Sequence, residues 1–522
     1  MLRTKIVGTA LCALLAATTA NARLVQILHT NDTHSFMDGA THETNVGGSA
    51  RLSALISFYK DKGQKDGVPT VTMDAGDFLE GNIFYMADKG MKSFEVHNNV
   101  GYDVVGLGNH DYLMGAKELD NMLGKIDLNF SFLAANVWVS PKFENIRNKI
   151  KPYREIEIDG IKIAILGLTT NEFYYSWSLE DSQITDPYQS ALAYEDILKK
   201  RKNDFVIALT HMGVSKDHKL AKKTSNIDLI VGGHSHTAIF NPEYEKNKAQ
   251  KMVPIVQAGM HTEYLGRLIL DLEKGKPLKI VSYELVPVKY QAENTVVKNI
   301  VEDANVDLGN TYGEDWLNEK IGYSDLNADD PSGSRKWAYY ISDALREKSG
   351  ADVAIHAPPM NGENFPVGTI TRRSIINSIP RVFNLEDTYG WSIYTAKVKG
   401  LWLKTVFETL ASFGEPLAYS GIEMKFVKTP FGLKIGHAYI NGKPINPFKT
   451  YKVAFTEGII KGAREISPKT LLLLQHPEKT PHKIWQTLQE KVLHEGRLFR
   501  GLTSKINETN RTFYMPSEVE GK

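Results

Sequence analysis

LVQILHTNDTHS, residues 24–35, runs an apolar segment straight into a loop carrying Asn31, Asp32 and His34. The segment has no glycine or proline and reads as a short buried strand, which puts Asp32 and His34 just past its carboxyl end. The arrangement recurs. VTMDAGDF (71–78) places Asp77 after a strand, and VVGLGNHDY (104–112) delivers Asn109 and His110. FVIALTHMG (205–213) ends on His211, and LIVGGHSHT (229–237) on His234 and His236. In open α/β folds, ligand sites gather at the carboxyl ends of strands. Imidazole, carboxylate and amide oxygen suit borderline divalent metals. Seven such side chains exceed the needs of one tetrahedral ion and suit two ions sharing a carboxylate, roughly 3.5–4 Å apart. Taken singly, Asp32 reads as a turn residue, Asn109 as a helix cap and His211 as a satisfied core histidine. Taken together, those readings require five coincidences of residue type and position.

Working outward, further apolar runs at 130–136, 162–168 and 253–259 alternate with amphipathic stretches such as GGSARLSALISFYK (47–60). That pattern predicts an α/β layered domain with buried strands. Residues 291–320 are charged, lack proline and repeat apolar positions at helical spacing. They predict a connecting helix, with a domain boundary near 290–325. Beyond it, helices are expected at 335–349, 399–412 and 482–495, and strands at 390–397 and 451–456. The length of 522 residues calls for two or three domains. The formal charge of +1 argues against a binder of nucleic-acid polymers, whose affinity would need a basic surface.

The first residues read as a secretory signal. MLRTK is basic, IVGTALCALLAA is apolar, and Ala20-Asn21-Ala22 offers small residues at the −3 and −1 positions. Cleavage would make Arg23 the first mature residue. The apolar run is short for a retained anchor, and Leu11 before Cys12 does not suit a lipoprotein. Removing residues 1–22 takes Arg3, Lys5 and the single cysteine, leaving sixty basic against 61 acidic residues. The C-terminus, RTFYMPSEVEGK, has no hydrophobic anchor. A secreted protein is expected, periplasmic if the source is a Gram-negative bacterium, and monomeric.

The series D-x-H, GD, GNHD, H, GHSH resembles the calcineurin-like metallophosphoesterases. LHTNDTHS with DAGDF and GGHSHT resembles the secreted 5′-nucleotidase family in particular, over about residues 24–270, with the overall likeness reaching about residue 515. The resemblance implies an α/β fold: a four-layer α/β/β/α sandwich over 23–290, a linker helix over 291–325, and a smaller α+β substrate-binding domain over 326–522. It implies that Asp32, His34, Asp77 and His236 hold one metal, and that Asp77, Asn109, His211 and His234 hold the other, with Asp77 bridging. Some relatives carry Gln where His236 stands. Zn, Mn, Fe or Co would suit such ligands. His110 resembles the catalytic histidine, and the expected substrate is a small-molecule phosphoester, a nucleotide in the first instance.

Two departures stand out. Relatives read GNHEFD, with an aspartate three residues after the histidine, whereas this chain reads GNHDYLMG and has Leu113 there. The expectation is an imidazole without its carboxylate, lower in pKa and less fixed in orientation, with reduced activity on ordinary nucleotides. In the C-terminal half, the family's N-x-G-G-x-R and G-D-G-Y are replaced by HAPPMNGENFPVGTITRRS (356–374) and YKVAFTEGIIKGAREISP (451–468). Arg335, Arg372, Arg373 and Arg381 are the candidates for a replacement anion clamp. Phe383, Tyr389, Trp391 and Phe455 are candidates for stacking on a base. The altered half also raises a second reading, a thiosulfohydrolase of sulfur oxidation on the same scaffold. A third reading is a metal-containing binding protein with a degenerate site.

Overall fold

Strands buried on both faces need apolar residues at every position rather than every second one, and the runs above meet that need. The computed structural model describes residues 23–39, 46–172, 179–289, 292–325, 331–362, 367–382, 384–411, 417–430, 432–466 and 473–496. The expected signal sequence, residues 1–22, and the stacking candidate Phe383 lie outside them. Seven strands form one sheet, in the order Lys279–Pro287, Tyr264–Leu272, Arg23–Thr30, Thr70–Asp74, Val104–Gly106, Ser131–Leu133, Ile150–Lys151. Six form a second, in the order Glu243–Lys246, Met252–Val256, Leu229–Gly232, Phe205–His211, Ile161–Thr169, Tyr153–Ile158. Arg23–Thr30 runs parallel to Thr70–Asp74, and Phe205–His211 runs parallel to both its neighbours. Parallel order delivers the strand-end loops to one edge.

The period-two alternation of each strand divides its side chains between two cores. Val25, Ile27, Met73 and Val104 meet Ile163, Ile165, Ile207, Leu209 and Val231 between the sheets. On the far side of the second sheet, Ala164, Leu166, Ala208 and Ile230 pack on helices Pro187–Lys200 and Val214–Lys223. Leu28, Val105 and Phe132 face helices Ser49–Lys65, Met91–Val100 and Ala116–Lys125 on the outside of the first. The result is the α/β/β/α sandwich. Each fully buried aliphatic or aromatic side chain adds about 1.5–3 kcal/mol.

The helix expected across 291–320 spans Thr295–Tyr312. Asn294 caps it, its side chain accepting from the amides of Val296 and Val297. Val297, Ile300, Val301, Ala304 and Leu308 form its buried stripe, which packs on Ser49–Lys65, Met91–Val100 and the segment Ile83–Gly90. The remainder builds a five-stranded sheet in the order Ala418–Ser420, Val353–His356, Thr450–Thr456, Ser392–Lys399, Gln475–Lys483. Helices Pro331–Ser349, Gly400–Ala411 and Ile484–Gly496 accompany it. One apolar core joins the halves, running from Phe78, Phe84 and Tyr85 through Leu308 and Tyr312 to Ile375, Ile379 and Trp485. Among the described residues, no helix is long and apolar enough to cross a membrane.

Candidate active site

The strand-end loops are tied to one another by main-chain bonds. The Asp32 amide donates to the Gly76 carbonyl at 2.9 Å, and the His34 amide to the Asp77 carbonyl at 2.9 Å. Asp111 braces the same region from a third loop. One of its oxygens accepts from the amides of Asp77 (3.0 Å) and Gly108 (2.7 Å), the other from Phe78 (2.9 Å) and Leu79 (3.0 Å). Gly108 has no room for a side chain, since a Cβ there would lie 2.1 Å from Asp77 Oδ1. Five of the seven predicted ligands take left-handed backbone: Asp32 (φ 51°), His34 (48°), Asp77 (59°), His234 (79°) and His236 (55°). Such strain in non-glycine residues costs of order 1–3 kcal/mol each and clusters at functional sites.

This backbone turns six of the seven side chains toward one another. Asp32, His34 and His236 form one compact group of ligand atoms; Asp77, His211 and His234 form another, and Asp77 and His34 meet His110 in a third. His34 Nε2 stands 3.8 Å from Asp32 Oδ1 and 3.9 Å from Asp77 Oδ2. His236 Nε2 is 3.3 Å from Asp32 Oδ1, and His211 Nε2 is 2.9 Å from Asp77 Oδ2. His34 Nδ1 is engaged by the Glu80 carbonyl at 2.8 Å and His211 Nδ1 by the Ala75 carbonyl at 2.9 Å. Those bonds commit the Nδ1 protons and aim both Nε2 lone pairs into the cluster, as metal-binding imidazoles require. His34 Nε2 faces His236 Nε2 at 3.1 Å, and both amide atoms of buried Asn109 lack a hydrogen-bond partner among the described residues. Facing nitrogens and an orphaned amide are what a cation between them would satisfy.

Burial works against charge on Asp32 and Asp77, yet His236 and His211 hold Asp32, and His211 and His110 hold Asp77, below the ordinary carboxylate range. Burial, followed by His110, pushes His34 down to about 3 and keeps it neutral. Burial would do the same to His211, but Asp77 and Asp32 override it and push that ring up to about 10, so without a cation beside Asp77 its Nε2 carries a proton that a bound metal would replace. The cluster draws positive charge to its centre, and the donor set fits divalent metal.

His110 does not lack a carboxylate. Its Nδ1 bonds Glu80 Oε2, in a buried contact that corrects the expectation drawn from Leu113. The same oxygen accepts from Arg381 Nη1 at 2.7 Å, and that nitrogen lies 3.1 Å from His110 Nδ1. Arg381 is anchored in the C-terminal half, donating from Nε to the Met360 carbonyl (3.0 Å) and from Nη2 to the Asn361 carbonyl (3.1 Å). Burial would raise the Glu80 carboxyl, but Arg381 and His110 together hold it below the usual glutamate value.

Of the four candidate arginines, only Arg381 reaches this cluster. Arg372 pairs with Glu319 at 2.7 Å and lies over the Trp316 ring. Arg373 lies 3.5 Å from Asp38 and over Phe84, bracing the contact between the halves. Arg335 sits half-buried on helix Pro331–Ser349, which packs on the C-terminal sheet. Phe455 is 1 % exposed, inside the C-terminal core with Val353, Ile355 and Val453, so it offers no ring face to a base. Trp391 is likewise buried, and Tyr389 packs edge-on against Tyr312. The sequence reading missed three neighbours: Glu80, His261, whose ring stacks on Phe36 at 3.7 Å, and Glu172, which lies 3.2 Å from His234 Nε2 and 2.6 Å from Lys216.

The calcineurin-like phosphoesterase family matches residues 25–238, and the 5′-nucleotidase C-terminal domain family matches residues 321–468. The chain carries a calcineurin-like phosphoesterase domain followed by a 5′-nucleotidase C-terminal domain. The trifunctional nucleotide phosphoesterase YfkN of Bacillus subtilis is 27% identical over 484 residues, 82% of this chain and 31% of that protein. The chain thus spans about a third of that relative's length. Its fold superposes on a 5′-nucleotidase precursor from Thermus thermophilus with a TM-score of 0.78, at 21% identity, covering 91% of this chain and 97% of that one. The sulfate thiohydrolase SoxB of the same organism shares the fold with a TM-score of 0.71, at 18% identity, covering 90% and 94%. The first of the two matching families is one of phosphoesterases, which are hydrolases.

Proposed function

We propose that this chain releases phosphate from nucleotides or related small phosphoesters with two divalent ions at the strand-end cluster. The carrying observation is that six of the seven donors gather in adjoining groups, Asp32, His34 and His236 in one and Asp77, His211 and His234 in another, while buried Asn109 has an amide with no hydrogen-bond partner among the described residues. Asp32, His34, Asp77 and His236 would hold one ion, and Asp77, Asn109, His211 and His234 the other. When bound, such ions polarise phosphoryl oxygens and bring the pKa of a water near neutrality. The buried main-chain ties keep the donors in place, so little reorganisation is needed as charge develops. His110, edge-on to His34 with ring centroids 4.8 Å apart, is the group that would meet the phosphoryl or leaving oxygen through Nε2. Arg381 is the candidate arginine that reaches the cluster, where its guanidinium pairs with Glu80 beside His110.

In this proposal residues 23–290 form the catalytic domain, 291–325 the linker and 326–522 the specificity domain. Export is part of it, supported by the basic, apolar and small-residue succession of residues 1–22. The test is a panel of nucleoside mono-, di- and triphosphates and an aryl phosphate, assayed with protein loaded with Zn, Mn or Co. Phosphate release from a nucleotide supports the reading. No release from any ester by metal-loaded protein refutes it, and sulfate release from a thiosulfonate-bearing carrier protein would install the thiosulfohydrolase reading instead.

A further inference from the structure

The histidine that meets the substrate must be held in one orientation, and two carboxylates, Asp111 and Glu80, are close enough in sequence or space to do so. The position three residues after His110 is Leu113, which is buried and apolar. Asp111, the sequence neighbour, has both oxygens committed to four main-chain amides. Glu80 remains. It arrives from the loop after Asp77, is 1 % exposed, and presents Oε2 to His110 Nδ1. Its own main chain is fixed, because its carbonyl engages His34 Nδ1. Its carboxylate needs a second support, since a buried anion with one partner is costly. The guanidinium of Arg381 supplies it from across the contact between the halves, held in turn by the carbonyls of Met360 and Asn361.

We infer that Glu80 is the positioning residue of His110, taking over the task that relatives give to an aspartate three residues after the histidine, and that Arg381 locks Glu80 in that role. The inference rests on the phosphoester-hydrolase reading above. It means that the orientation of His110 is completed only when the C-terminal half is docked, so an arginine outside the catalytic sandwich governs turnover. An ordinary ion pair joining the two halves would brace the fold without any specific link to His110.

A double-mutant cycle on kcat separates these cases. Glu80→Gln should lower kcat on 4-nitrophenyl phosphate by about 10–100-fold, the usual cost of losing a partner that orients an imidazole. KM should stay within about twofold, and bound metal, measured by elemental analysis, should be unchanged. In a His110→Ala background the same substitution should change kcat by less than about twofold. Arg381→Met, whose site is 11% exposed, is read through the same cycle and carries the test alone if Glu80→Gln does not fold. Equal losses in both backgrounds, or an unchanged kcat in Glu80→Gln or Arg381→Met, would overturn the inference. A wild-type protein that hydrolyses no phosphoester would instead remove the hydrolase reading, and this inference with it.

Discussion

Replacing Asp111 by Asn probes the brace under the shared ligand. Each carboxylate oxygen accepts two amides, from Asp77 and Gly108 on one side and from Phe78 and Leu79 on the other. Asparagine keeps the shape but turns one oxygen into an NH₂ that must face two donors. Two charge-assisted bonds are lost, about 1.5–3 kcal/mol each, so about 3–6 kcal/mol in all. For a unit of some 250 residues, 1 kcal/mol moves Tm by about 2 °C, which predicts a fall of about 6–12 °C. Burial and Asp77 push Asp111 up to about 7, and at about pH 8 asparagine escapes that cost of ionisation, which offsets part of the loss and makes about 6–12 °C its upper limit. The freed loop carries Asp77, so metal content by elemental analysis should fall together with phosphatase activity. A variant that melts within about 2 °C of the parent and keeps its metal would refute the assigned brace.

Three further outcomes follow from the geometry. Burial pushes Asp217 up to about 7, against the pull of its bond from Thr210 Oγ1 at 2.7 Å. The folded state then holds a proton that the unfolded chain releases near pH 4, so this stabilising contribution is full below about pH 4 and is lost as pH rises through 7. Asp217→Asn should remove that loss, gaining about 3 kcal/mol over the parent between pH 5 and 8 in denaturant titrations, and parallel pH curves would contradict the assignment. Phe455→Ala should cost about 3–5 kcal/mol of stability while KM for nucleotides holds steady, and a raised KM with unchanged melting would make it a stacking platform after all. Arg372→Ala should leave KM within about twofold, because its guanidinium is spent on Glu319 and Trp316.

The central strands and the residues of the candidate metal cluster were legible because each is announced locally. A continuous apolar run ends at a glycine, a histidine or an aspartate, and no distant residue is needed to read it. The edge strands were not read. Tyr153–Ile158 and Lys279–Pro287 are half exposed, so charged and polar residues break up their apolar positions and they imitate loops. Glu80 escaped for another reason. Its partners are His110, 30 residues away, and Arg381, 301 residues away, and a lone glutamate in a loop has no periodicity to betray it. The four arginines look alike in sequence. Helix Arg372–Ser378 commits the first two of its residues to Glu319 and Asp38, whereas Arg381 lies beyond its end and reaches inward. Phe455 and Val453 share one face of their strand and Ala454 the other, a parity that decides core against cleft only once the sheet's neighbours are known.

The apolar seam from Phe78 and Tyr85 to Ile379 and Trp485 bears on how such proteins change over evolutionary time. Two halves joined by a bare tether could be exchanged whole, each carrying its own chemistry to a new companion. Here a foreign second half would leave rings of the first in water and Glu80 without its guanidinium. New specificities on this scaffold therefore have to arise by rewriting the short segments around 356–381, inside a shell that stays closed.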